Sequence, residues 1–277
     1  MSSSRRGLFR GAAKAALNTA VPSVEAGSPP PAGFSSDELE RYSRQLVLEG
    51  WGAAQQKRLR ESSVLVVGAG ALGSPVAAYL AGAGVGRLGI ADDDVVELSN
   101  LHRQTLHATP DLGQQKAHVA VARLQLVNPD VLVEPYPVRF AKDNADALVV
   151  GHDLVVDCSD SFATRYRVNR ACCVSGQWLV EGGVVGVSGM VMSIRPGTSA
   201  CYRCAFPAAP ENAATCAEAG VLGPAAGVIG SLMALEALKS LGGMEGALLD
   251  AFLQVDLASY DFLRVETARR PLCRDCG

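Results

Sequence analysis

Val64-Leu65-Val66-Val67-Gly68-Ala69-Gly70-Ala71-Leu72-Gly73 is the stretch that decides the fold. Four consecutive aliphatic residues without polar alternation are the pattern of a strand buried on both faces, as in a parallel sheet. The strand runs directly into Gly68-x-Gly70-x-x-Gly73, and the segment through about Ala81 is small and apolar at helical spacing. Arg87 to Ala91 reads as a second strand. Strand, glycine turn, helix and strand in this order make the nucleotide-binding half of a doubly wound sheet. The glycines permit a tight turn and let phosphate approach backbone N–H groups at a helix N-terminus. Asp92, at the end of the second strand, stands where an acid commonly accepts hydrogen bonds from a ribose hydroxyl. These features alone do not separate NAD(P) from ATP.

The same rhythm continues outward. Lys116 to Leu126 reads as a helix, Val131 to Val138 as extended chain, Leu154 to Asp157 as a buried strand and Thr164 to Val174 as a helix. After Trp178 come strand-like pieces rich in Gly and Val, a long loop with several prolines, a helix from about Ala225 to Ser240, and strands around Phe252 and Phe262. Upstream, Ser35 and Glu38 have capping-box spacing before a helix carrying Arg41, Tyr42 and Arg44, and Ala53 to Arg60 is a second short helix. The expected fold is α/β: a Rossmann-like doubly wound sheet with an adjoining mixed β-sheet and a four-cysteine zinc site. Residues 1–34 are expected to be a flexible N-terminal arm, with Pro29-Pro30-Pro31 in its linker, and 35–277 the folded domain.

Composition narrows the function classes. The 277 residues are 48% hydrophobic and 19% charged, enough to bury a substantial core. A net charge of -3 gives no broad basic field, which argues against nucleic acid as the main partner. Apolar runs are broken by Gly, Lys or Asp, so no membrane span is expected. Ser4-Arg5-Arg6-Gly7-Leu8-Phe9-Arg10 resembles a twin-arginine export signal. The following segment, with Lys14 and Asn18, is a poor export core, so the expected location is cytoplasmic and export the alternative. Of eight cysteines, four form Cys201-x-x-Cys204 and Cys273-x-x-Cys276. Two such pairs brought together match a closed tetrahedral Zn2+ site of structural type, clamping the C-terminal tail to a distant loop. Neither pair sits at a strand-to-helix junction, as a thioredoxin-like dithiol would. Cys158, Cys172 and Cys173 read as buried small apolar residues, and His102 and His107, lacking a partner pattern, receive no role. The apolar patch from Val184 to Met190 is either core or a docking surface.

Asp92-Asp93-Asp94-Val95-Val96-Glu97-Leu98-Ser99-Asn100-Leu101-His102-Arg103-Gln104 separates the nucleotides. With Arg41-Tyr42-Ser43-Arg44-Gln45, Gly113-x-x-Lys116, Asp157-Cys158-Ser159-Asp160 and the cysteine pairs, it strongly resembles the E1-like activating-enzyme family (ThiF/MoeB/HesA). That family includes molybdopterin-synthase adenylyltransferase, and the resemblance runs from about residue 36 to 277. It implies an ATP-dependent adenylyltransferase that activates the C-terminal glycine of a ubiquitin-like sulfur-carrier protein ending in Gly-Gly. The acyl-adenylate would serve sulfur transfer in molybdopterin or thiamine-type biosynthesis.

Attack of a carboxylate on the α-phosphate builds negative charge on phosphorus oxygens and departing pyrophosphate, so cations must converge there. The resemblance implies that Arg103 and Lys116 contact the phosphates, Asn100 helps to position them and Asp92 binds the ribose. It also implies that Arg44 reaches in from the neighbouring subunit of a homodimer. Asp160 is a hard oxygen ligand suited to Mg2+. The incoming carboxylate is already ionised at neutral pH, so no strong base is needed. Cys216 lies in a loop where family members join the carrier covalently; here it is either such a residue or a free thiol. The sequence stops soon after the second cysteine pair, so a separate sulfur donor is expected in place of an appended sulfurtransferase domain. The competing readings are an NAD(P)-dependent Rossmann oxidoreductase and a non-catalytic nucleotide-binding adaptor.

Overall fold

The structure is a computed structural model that describes residues 33–209 and 220–277. The arginine pair near the N-terminus, all but the last two residues of the expected arm, and Cys216 lie outside the described residues. The chain divides into two compact units, Met1–Ala53 and Ala54–Gly277. In the first, α1 (Ser36–Arg41) and α2 (Ser43–Leu46) follow one another. The predicted capping box is present: Ser35 Oγ accepts the Glu38 N–H at 3.2 Å and Glu38 Oε2 accepts the Ser35 N–H at 2.8 Å.

After α3 (Ala53–Glu61), the second unit alternates β1 (Ser63–Val67), α4 (Gly73–Ala83), β2 (Arg87–Ala91), α5 (Lys116–Val127), β3 (Leu132–Tyr136), α6 (Ala145–Val150), β4 (Leu154–Asp157), α7 (Phe162–Ser175) and β5 (Trp178–Val185). It then changes to β6 (Ser188–Ile194), the short α8 (Tyr202–Ala205), α9 (Gly223–Gly242), β7 (Ala251–Asp256) and β8 (Asp261–Glu266). All eight strands form one sheet in the order β3-β2-β1-β4-β5-β6-β7-β8. β1 to β5 pair in parallel, and β6, β7 and β8 are added antiparallel. The mixed part expected beside the doubly wound half is therefore hydrogen-bonded to it through β5 and β6.

Val64 to Val67 are at most 3% exposed, which explains the unbroken aliphatic run. Leu65 and Val67 pack with Val155, Leu179 and the inner residues of α6 and α7. By alternation Val64 and Val66 face the other side of the sheet, where α4 and α9 lie against each other and against β1, β5 and β6. Each such aliphatic side chain contributes ~1.5–3 kcal/mol by leaving water. Pro135 sits in β3, an edge strand, where a missing N–H costs no central ladder bond.

One expectation changes. Helix α9, 20 residues long, is by length and composition apolar enough to cross a membrane, which the reading of interrupted apolar runs did not foresee. Half of that stretch is buried against α4, β5 and β6. Its Glu236 is buried with every need met: Oε2 accepts from Ser193 Oγ and the Leu248 N–H, both at 2.7 Å, and Oε1 pairs with Lys239. Such a residue marks a core helix.

Candidate functional site

In an open parallel sheet, ligands bind beyond the carboxyl ends of the strands where the order reverses, here between β1 and β4. A cleft of about 390 Å³ lies at that point. Gly68, Gly70, Asp92, Asn100, Arg103, Lys116 and Asp160 all line it. Residues more than ninety positions apart in sequence thus meet at the place the glycine turn predicted.

The turn is built by exclusion. Gly68 has φ +97°, a conformation that disfavours a side chain, and its α-carbon faces the Cys158 carbonyl. Gly73 does not line the cleft but packs so closely that a Cβ there would lie 1.9 Å from Gly68 O. Beyond the turn α4 begins and points the positive end of its helix dipole at the turn; the Ser74 N–H donates to Gly70 O at 2.9 Å and the Val76 N–H to Leu72 O at 3.2 Å, and Pro75 has no N–H. The turn is clamped from two sides. Asp92 Oδ2 accepts the Ala69 N–H at 2.7 Å and Oδ1 accepts the Asp94 N–H at 2.9 Å. Burial lifts the Asp92 carboxyl above its usual range, against the pull of those N–H groups and of Lys116. On the opposite side His107 Nε2 lies 2.9 Å from the Ala69 carbonyl. Burial lowers its pKa, so the ring is neutral and Nε2–H donates.

Lys116 is 5% exposed, and its ammonium holds Asp94 Oδ2 at 2.9 Å. Arg103 donates to Ser99 O at 2.8 Å from the loop beyond β2. Asn100, also buried, ties that loop: its Oδ1 accepts the Glu97 N–H and its Nδ2 donates to Ser99 Oγ. Asp160 is exposed in the loop three residues beyond β4, just before α7, whose N-cap Ser161 accepts the Thr164 N–H. The sequence reading missed Gln104, Arg139 and Arg165, which line the cleft, and His107, which braces its turn. Gln104 and Arg165 lie at or just beyond quoted motifs, so that proximity was the available signal; nothing local marks Arg139. Val184 is buried on the cleft wall and Val185 is 44% exposed, so the Val184 to Met190 patch divides between core and surface. Arg44 is exposed on α2 of the N-terminal unit.

The four predicted cysteine ligands come together apart from the cleft lining, their sulfurs all within 4.8 Å of one another. Sγ separations of 3.8 Å (Cys201–Cys204), 3.7 Å (Cys201–Cys273) and 3.5 Å (Cys204–Cys276) are far beyond a disulfide. They fit the ~3.8 Å edge of a tetrahedron with Zn–S bonds of ~2.3 Å. The Arg270 N–H donates to Cys204 Sγ at 3.3 Å. Burial pushes the Cys273 thiol up, but backbone N–H groups of Asp275 and Cys276 outweigh it and bring it to about 7. Asp275 ties the cluster to its surroundings, accepting from Arg203 Nε at 2.7 Å and Asn169 Nδ2 at 2.8 Å.

A doubly wound sheet with a cationic, acid-flanked glycine turn and a detached four-cysteine cluster defines an α/β protein of Rossmann-like type whose cysteines are placed as metal ligands would be. Residues 42–275 match the model of the ThiF family, and the chain belongs to that family. It is 47% identical to a sulfur carrier protein adenylyltransferase of Thermus thermophilus over 251 residues, 88% of this chain and 93% of that protein. It is 44% identical to the SAMP-activating enzyme E1 of Haloferax volcanii, over 88% of this chain and 91% of that one. A relative in Sus scrofa, adenylyltransferase and sulfurtransferase MOCS3, is 46% identical over 90% of this chain, which spans 55% of its length. Among solved structures, E. coli MccB with ATP superposes with a TM-score of 0.77 at 24% identity, over 86% of this chain and 74% of that chain. Selenomethionine PaaA gives 0.75 at 21%, over 98% and 84%. These two establish the fold alone.

Proposed function

We propose that the chain is an ATP-dependent adenylyltransferase acting on the C-terminal glycine carboxylate of a ubiquitin-like sulfur carrier ending in Gly-Gly. The observation that carries this reading is the convergence of Arg103, Lys116, Asp160 and the glycine turn on one cleft. Cations and a helix dipole gathered at the turn stabilise a phosphorane-like charge distribution, which is what an ionised attacking carboxylate needs. In this reading Asp92 accepts the ribose hydroxyls, and the phosphates draw Lys116 from Asp94 and engage Arg103. Asp160 would hold Mg2+, which neutralises phosphate charge when bound. The four cysteines would hold one structural Zn2+.

The relatives' activities support this assignment, as does the side-chain chemistry of the cleft. Residues 35–277 would form the catalytic domain, and the acyl-adenylate would pass to a separate sulfur donor. Arg44 would complete the phosphate site of the other subunit in a homodimer. Dependence on ATP suits a cytoplasmic enzyme. ATP–pyrophosphate exchange with a Gly-Gly-ended carrier tests the reading: exchange is expected with wild type and absent in Asp160→Ala. No carrier-dependent exchange in the wild type would discard the adenylation reading, and near-normal exchange in folded Asp160→Ala would discard the metal assignment.

A further inference from the structure

Behind the cleft two acids face each other without enough donors. β4 and β5 run in parallel with Asp157 opposite Glu181, and both residues are 0% exposed. Asp157 Oδ1 accepts the Ser159 N–H at 2.9 Å. The Ser159 hydroxyl, buried and without another partner, lies near Asp157, but among the described residues no hydrogen-bond donor meets either oxygen of Glu181. The guanidinium of Arg165 forms an ion pair with Glu181, Nε to Oε1 at 3.6 Å, longer than a hydrogen bond. Two neighbouring carboxylates in a dry site cannot both remain ionised against a single cation. A proton placed between them removes one charge and supplies the missing donor.

We infer that Glu181 and Asp157 share one proton, and that Glu181 is a positioning residue which holds Arg165 and, through it, the Ser159–Asp160 corner of the cleft. Arg165 crosses β5 at Gly183, where a Cβ would lie 2.5 Å from its Nη1. Its Nη2 donates to Ser159 O at 3.2 Å while Asp157 holds the Ser159 N–H, so the peptide units before Asp160 are fixed from both sides. The pair with one proton carries one negative charge against one guanidinium, and the buried set is neutral. Burial, then the charge of Asp157, raises Glu181 well above the usual carboxylate range, and burial raises Asp157 as well. The other titratable groups facing this pair are Cys158, Arg165, Tyr166, Cys172 and Tyr202.

The proton rests on the register, burial and unpartnered oxygens of the two acids; the positioning role rests on the adenylation reading, and the two are tested separately. Infrared spectra of wild type at neutral pH, with carboxyl-labelled aspartate and glutamate, are expected to show the C=O stretch of a buried protonated acid. That band should vanish in both Glu181→Gln and Asp157→Asn, since the amide replaces the protonated partner. Its absence from wild type, or its persistence in both variants, would overturn the shared proton whatever the enzyme's activity. In pyrophosphate exchange, Glu181→Gln is expected to stay within ~3-fold of wild type at neutral pH and to lose the alkaline fall caused by the second ionisation. Glu181→Ala, checked by thermal melting, should fall by ~10-fold or more as the corner loosens. Equal impairment of two folded variants, or a wild-type alkaline limb in Glu181→Gln, would sink the positioning role.

Discussion

Lys116 and Asp94 form an ion pair with unequal partners: the lysine side chain is 6% exposed and the aspartate side chain 68%. Removing the lysine leaves an acid that water can resolvate, so Lys116→Ala should cost the fold only ~0–1 kcal/mol. The same change should lower exchange by ~100-fold or more, because a preorganised cation is lost where charge develops. A large drop in the urea midpoint with normal exchange would reverse these roles. His107 carries a pH signature. Its pKa lies below the ordinary imidazole value, so between the two values the unfolded chain binds more protons than the folded one. Stability therefore rises with pH across that window and is lost as pH falls through it. His107→Gln, which keeps a donor for Ala69 O, should flatten urea-midpoint curves as pH falls below the ordinary imidazole value of 6.5. Part of the slope should survive, because burial lowers His152 in the same direction. The role of His107 was not legible in the sequence, since its partner Ala69 lies 38 residues upstream.

Elements respond to the same substitution in opposite ways according to what surrounds the α-carbon. Gly73→Ala sets a methyl group 1.9 Å from Gly68 O, backbone against backbone, so the turn or the start of α4 must move. Loss of nucleotide binding by calorimetry, with a lowered melting temperature, is the expected outcome. Gly227, inside α9, has nothing within 4 Å of the place a methyl group would occupy, and Gly227→Ala should stabilise by ~0.5–1 kcal/mol through reduced chain entropy. A destabilised Gly227→Ala would mean that α9 packs differently there. Element positions were well read from sequence: β2 spans Arg87–Ala91 and β4 Leu154–Asp157, as predicted. The short α6 and α8 were missed, being 6 and 4 residues long, too brief to show a helical period.

For the whole molecule, the cysteine cluster joins chain segments 72 residues apart, Cys201 with Cys273 and Cys204 with Cys276. Metal analysis is expected to give one zinc per chain, and chelation or Cys273→Ser should lower the melting temperature because metal binding and folding are linked. Zinc-free protein of unchanged stability would refute this. The proposed homodimer makes a different prediction: mixed inactive Arg44→Ala and Asp160→Ala proteins should regain part of the wild-type exchange, since a mixed dimer holds one intact site. No recovery in a demonstrated mixed dimer would remove Arg44 from the partner's site.

Reading the residues in order was enough for the strand, glycine turn and helix, the acid after β2, the cations near them and the pairing of the cysteines into two Cys-x-x-Cys motifs. These follow from local period, turn geometry and ligand type, which a chain expresses within a few residues. Three-dimensional packing was needed to reveal that His107 braces the turn, that Arg165 lines the cleft, and that Glu181 confronts Asp157. Glu181 sits within Leu179-Val180-Glu181-Gly182-Gly183 with nothing local to single it out. Its environment is set by the register of β5 on β4 and the helices laid over them, and only burial away from water turns two ordinary acids into a pair that must share a proton.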